Sequence, residues 1–120
     1  MQQVPIQVQE KSDSHFSKTY RTTADINAGL VSQERFISEG DEWANGPFDF
    51  VSVDSSDSVE LEIQLDYSPD NILVIPAQSS KIFKGLKFRN FSIKNKDAAA
   101  AHTAGKVAVQ VMNTKQQRRA

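Results

Sequence analysis

The chain has 120 residues, with 14 Lys and Arg against 15 Asp and Glu, and no cysteine. That length suits one domain around one core, and the missing cysteine excludes a disulfide framework and thiolate metal sites. Apolar runs such as Ile72-Leu73-Val74-Ile75 are far too short to span a bilayer, and the first ten residues lack signal-peptide order, so a soluble, unprocessed chain with no membrane partner is expected.

In chain order, residues 1–10 are Gln-rich with Pro5 and read as a polar arm, with a weak strand signal at 4–9. Further weak strands are expected at 15–22 and 34–37. A short helix could form at 24–31. Residues 48–53 change phase, with Phe48 and Phe50 on one face and Val51 and Val53 on the other, so the buried face stays ambiguous.

The strongest strand signal is residues 59–66. Val59, Leu61, Ile63 and Leu65 alternate strictly with polar residues and should point into a core, as a half-buried antiparallel strand requires. Residues 71–75 form a continuous apolar run, expected to be a strand covered on both faces. A weak strand is expected at 81–83. In residues 87–94, Phe88 and Phe91 are out of phase by one residue, which predicts a bulge near Arg89-Asn90. Residues 97–103 hold an Ala-rich short helix candidate. The last clear strand is 106–112, with Val107, Val109 and Val111 on one face. Residues 113–120 are polar and basic and read as a second arm.

Turn chemistry at Asn45-Gly46-Pro47, Ser68-Pro69-Asp70-Asn71 and Gly85 separates these segments. The expected fold is therefore all-β: a jelly-roll-like antiparallel β-sandwich of about eight strands, one domain over 1–120, with polar terminal arms at about 1–10 and 113–120.

Few residues offer chemistry. His15 and His102 are the only histidines, and neither has a second ligand at metal-binding spacing, so His15 is read as a polar strand position and His102 as a loop residue. Asp54-Ser55-Ser56-Asp57-Ser58 presents alternate oxygen ligands but lacks the glycine and distal glutamate of a calcium loop, and reads as a serine-rich hairpin turn. Asp41-Glu42-Trp43 joins carboxylates to the only tryptophan, either as a sugar-binding platform or as a core or rim anchor beside a turn. No phosphate loop, nucleophile elbow or carboxylate pair stands out, and the reading is a non-enzymatic chain without a cofactor or metal.

Charge is unevenly spread: residues 39–70 hold ten acidic residues and no Lys or Arg, and residues 81–120 hold ten basic residues and one acidic, Asp97. Two readings follow. Glu60, Glu62 and Asp66 could pair across a sheet with Lys87, Arg89 or Lys94, or opposite faces could dock copies or partners by charge. For Lys115, Arg118 and Arg119, beyond the last strand, an intermolecular role is expected. A pI near 6.1 counts against nucleic-acid binding.

The stretch NILVIPAQSSKIFKGLKFRNFSIKN, the Ala-rich loop after it and the closing KVAVQVMN resemble small all-β accessory virion proteins of tailed bacteriophages. The resemblance covers about residues 70–113. It implies a jelly-roll or related sandwich that cements or decorates the capsid surface, or builds a head fibre or tail part. The implied partners are the major capsid protein or another virion protein and further copies of the chain, as a dimer or trimer. Asp41 and Trp43 carry the alternative, a carbohydrate- or ligand-binding sandwich, including a tail or fibre component.

Overall fold

Alternating apolar positions need two sheets to close over one another, and the computed structural model, which describes residues 16–30 and 32–114 apart from the side chain of Asp41, has two. Its strands are β1 (Phe16–Arg21), β2 (Gln33–Phe36), β3 (Phe48–Ser55), β4 (Leu61–Leu65), β5 (Ile72–Ile75), β6 (Ser80–Phe88), β7 (Phe91–Asn95) and β8 (Val107–Asn113), with a one-turn helix α1 (Asp41–Ala44) before β3. One sheet runs β1-β8-β3-β6 and the other β2-β7-β4-β5, every pair antiparallel. This interleaved order of eight strands in two sheets is that of a jelly roll.

The predicted inward faces are the observed ones. Val59, Leu61, Ile63 and Leu65 are buried on the β4 side, and Val107, Val109 and Val111 on the β8 side. Near the β6–β7 corner the filling is aromatic: Phe36 stacks on Phe91 at 4.7 Å, and Tyr20 meets the edges of both at 5.4 Å. Phe48 and Phe88 continue the cluster toward Phe16. Offset and edge-on rings of this kind add about 0.5–1.5 kcal/mol per pair beyond their buried area.

Several expectations are corrected. Arg89-Asn90 is a corner and not a bulge: β6 ends at Phe88 in one sheet and β7 begins at Phe91 in the other. Both rings therefore face the core without an inserted residue. The irregularity lies instead in the β3–β6 ladder between Phe48 and Phe50, where Phe48 pairs with Phe88 but Phe50 with Lys84, and Gly85 on β6 has φ +72°. That break resolves the ambiguous phase, because Phe48, Val51 and Val53 all point inward and Phe50 outward.

β5 is an edge strand whose Ile72 and Val74 are 39% and 41% exposed, so its apolar run is not covered on both faces. Neither short helix candidate forms. Asp97 accepts the N–H groups of Ala99 and Ala100, and Asn95 Nδ2 donates to the Ala100 carbonyl, which closes a turn where the alanines alone would favour a helix. The arm expected over 113–120 is corrected at its first two residues, since Asn113 ends β8 and Thr114 is held by both carboxylate oxygens of Asp49, and residues 115–120 lie outside the described residues. The strand signal at 4–9, the 1–10 arm and His15 lie outside the described residues.

The charge division takes a specific spatial form. Acidic β3 lies between β8 and β6, and acidic β4 lies between β7 and β5. The acidic strands thus neighbour basic β6 and β7 and uncharged β8 and β5, and the division along the chain does not become two opposed faces. Glu62 sits opposite Lys94 in register, but it is buried rather than solvent-facing, and its carboxylate accepts a hydrogen bond from Gln64 Nε2. Other carboxylates of the acidic segment serve as local acceptors: Asp66 takes the N–H groups of Arg89 and Asn90, and Asp54 the hydroxyl of Ser80.

Candidate functional site

Two clusters of polar and aromatic side chains sit in the connections between sheets. The first surrounds α1 and the β6–β7 corner. Glu42 N–H donates to the Glu39 carbonyl and the Glu42 side chain accepts the Glu39 N–H, a reciprocal cap that fixes the single turn. Glu42 is itself buried, bonded by Tyr20 Oη at 2.8 Å and ion-paired with Lys18. Burial would raise its carboxyl, but hydrogen bonds from Lys18, Tyr20 and the Glu39 N–H, with the Lys18 charge, outweigh it and hold the group below its ordinary value. Burial, the Glu42 hydrogen bond and nearby acidic charge push the Tyr20 phenol far above its usual range.

With Glu42 anchored inward, Trp43 projects outward and is 52% exposed. Arg89 stacks on its ring at 4.4 Å and donates from Nη1 to the Trp43 carbonyl at 2.7 Å. Beside them, Asp66 and Tyr67 both adopt the left-handed backbone region, at φ +54° and +57°. A bulky residue there is strained and persists when its surroundings hold it. Here Asp66 is pinned by the Arg89–Asn90 backbone, while Tyr67 lies under Arg35 at 4.8 Å. A cleft of about 460 Å3 opens along this corner, lined by Pro47, Asp66, Lys87, Phe88, Arg89 and Asn90. Ile37 adds an exposed apolar side chain nearby, on the rim of a second cleft with Glu39 and Glu42.

The second cluster joins three other connections. His102 lies in the connection between β7 and β8, as its reading as a loop residue expects, but it is wholly buried there and pairs with Ile26 through an isolated bridge. Its Nε2 is 2.8 Å from Thr22 Oγ1, and its Nδ1 is 2.5 Å from Asp57 Oδ2, a close electrostatic contact with the oxygen off the ring N–H axis. Asp57 also accepts Ser58 N–H and Thr103 N–H. Burial acts to raise the Asp57 carboxyl, but these backbone bonds and His102 bring it below its ordinary value. The serine-rich tract is accordingly a crossing between sheets, with Asp57 turned inward, and not a hairpin turn.

A hydroxyl, an imidazole and a carboxylate in this order are what acyl-transfer enzymes use. Thr22, His102 and Asp57 are 3%, 0% and 5% exposed, and Thr22 Oγ1 also accepts the Gly105 N–H. A nucleophile needs an open path to a substrate carbonyl, and this burial closes it. The constellation ties the 22–26, 56–60 and 100–106 connections together. Among the described residues, no group of three or more His, Asp or Glu is placed to hold a metal ion.

Of the residues singled out in the sequence, Trp43 is at the surface of the first cluster and Asp41 opens α1. Lys115, Arg118 and Arg119 lie outside the described residues. Sequence reading missed Arg89, Arg35 and Tyr67 as neighbours of this surface. The chain defined by this order is a jelly-roll β-sandwich with an aromatic and arginine-rich corner. No protein-family model, curated protein or solved structure matches it.

Proposed function

We propose that this chain is a non-enzymatic structural protein of a tailed-phage virion, cementing or decorating the capsid by bridging major capsid protein subunits as a homo-oligomer on the capsid surface. The observation that carries a docking role is the corner formed by Trp43, Arg89, Tyr67 and Arg35 with exposed Ile37. Trp, Tyr and Arg dominate protein interfaces because they bury large rigid area and keep a polar handle. Backbone pinning at Asp66 and the reciprocal cap at Glu42 preorganise that surface, which lowers the entropy lost on docking. Jelly rolls recur in viral capsid proteins, and that analogy of fold supports the virion setting together with the resemblance of residues 70–113.

Purified chain should bind empty capsids and raise their disruption temperature. Trp43→Ala and Arg89→Ala should each weaken capsid binding about tenfold or more, the range of an interface anchor, and leave the circular dichroism spectrum unchanged. Capsids that fail to recruit the wild-type chain at low salt would overturn the proposal.

A second reading rests on Trp43 beside the 460 Å3 cleft: a carbohydrate-binding sandwich of a tail or fibre, in which the indole stacks on a sugar. Glycan-array binding abolished by Trp43→Ala would select it.

A further inference from the structure

An edge strand presents unpaired backbone N–H and C=O groups, and folded chains blunt such edges with charges aimed into the sandwich or with breaks in the strand. Among the described residues the four edges are β1, β6, β2 and β5. Three of them carry an inward-facing charge, because Lys18 on β1 lies opposite Val111, Glu34 on β2 opposite Ile93, and Lys81 on β6 opposite Val53. Each opposing residue is fully buried core. Another chain joining β1, β2 or β6 would desolvate that charge. β6 is further interrupted by the register shift and by Gly85.

β5 has neither device. Its four residues are Ile72, Leu73, Val74 and Ile75, bounded by Asn71 and Pro76. Leu73 and Ile75 lie opposite buried Ile63 and Leu61, while Ile72 and Val74 stand exposed on the outer side.

We infer that β5 is a strand-acceptor edge, and that its occupant is residues 4–9 of a second copy of this chain. The inference rests on the homo-oligomeric assembly proposed above and names its contact. Val4, Ile6 and Val8 alternate with Pro5, Gln7 and Gln9, so the segment is as free of charge as β5. Added to β5, its apolar side chains extend the inner row of Leu73 and Ile75, and Gln7 lies outward beside Val74. The addition is parallel, because the free backbone groups of β5 are those of Ile72 and Val74, and in a parallel pair Pro5 and Gln7, on the outward side, aim their own backbone groups away from the ladder, where a missing N–H is tolerated.

Chain length favours a neighbour. Residues 10–15 separate this segment from β1, a reach of roughly 20 Å when extended. β1 packs over β2, through Tyr20 on Phe36, at the margin of the sandwich away from β5. The path from β1 to its own β5 covers about three strand spacings of 4.8 Å and the roughly 10 Å between sheets, over the outside of the molecule. A neighbouring copy's β5 carries no such constraint, and the exchange closes either reciprocally in a dimer or head to tail in a ring.

The absence of cysteine makes a direct test available. Full-length Gln7→Cys protein mixed with full-length Val74→Cys protein and oxidised should give a disulfide-linked pair of unlike copies, with Val74→Cys alone unlinked. Linkage of Val74→Cys to itself would make β5 a symmetric contact, and linkage within one chain of the double variant would place the segment on its own β5. Either result overturns the inference. Sedimentation supplies the second arm: Val74→Lys, which gives β5 an outward charge at an exposed site, and deletion of residues 1–10 should each weaken self-association about tenfold or more. An oligomer insensitive to both refutes the strand exchange while leaving a decorating role standing. Capsid binding by a wild-type chain that is monomeric at every concentration would refute the exchange alone.

Discussion

Replacing His102 by leucine removes the ring that joins Asp57 to Thr22 and keeps a large apolar side chain in its place. Asp57 retains the Ser58 N–H at 2.7 Å and the Thr103 N–H at 2.9 Å, and Thr22 Oγ1 retains the Gly105 N–H at 2.9 Å. What is lost is the ring–hydroxyl bond at 2.8 Å and the ring–carboxylate contact at 2.5 Å. A buried polar group left without its partner costs about 1–3 kcal/mol. Losing the contact to a carboxylate adds about 1 kcal/mol, since two backbone donors remain. The leucine returns about 1 kcal/mol through apolar burial. The net loss is about 2 kcal/mol, or a Tm lowered by roughly 8 °C in a domain of this size. Urea unfolding of His102→Leu followed by circular dichroism measures it, and a loss below about 0.5 kcal/mol would refute a structural role for the relay. Thr22→Val should then cost about 1 kcal/mol less in the H102L background than in the wild type, because the two side chains share one bond.

Asp57 is held below its ordinary value in the folded chain, so the stability it lends is complete above the unfolded value of about pH 4 and is lost as pH falls through the folded one. Glu42 behaves alike. Glu42→Gln should lower stability by about 1 kcal/mol at pH 7, a modest figure because Lys18 is 47% exposed and screened. The difference from wild type should shrink as pH falls below about 4, which chemical denaturation across a pH series would reveal. Gly85→Ala should cost about 1 kcal/mol from backbone conformation alone, since φ is +72° and a Cβ there meets nothing within 4 Å. A neutral result in thermal melts would mean that β6 relaxes into a regular ladder.

The site was less legible than the fold. Trp43 stood out because it is the only tryptophan, and its exposure agrees with a rim position. Its partner Arg89 is 46 residues away and reaches it through a corner between sheets, a geometry that no local pattern encodes. Asp57 and His102 are similarly remote. Each looked like a polar residue in a polar loop, and their burial depends on three connections converging at one end of the sandwich.

What the sequence determined by itself is the set of inward faces in β4 and β8. Side chains alternate across a strand with a period of two, so Val59 to Leu65 and Val107 to Val111 specify their own buried side without reference to any partner. Tertiary structure decided which strands neighbour which. Phe88 and Phe91 share the core because two sheets meet at Arg89-Asn90, and β5 stands at an edge because the chain crosses to the other sheet after Pro76. Strand order is a non-local property: an apolar tetrapeptide such as Ile72 to Ile75 reads the same at the centre of a sheet and at its margin, and only the margin leaves it able to accept another strand.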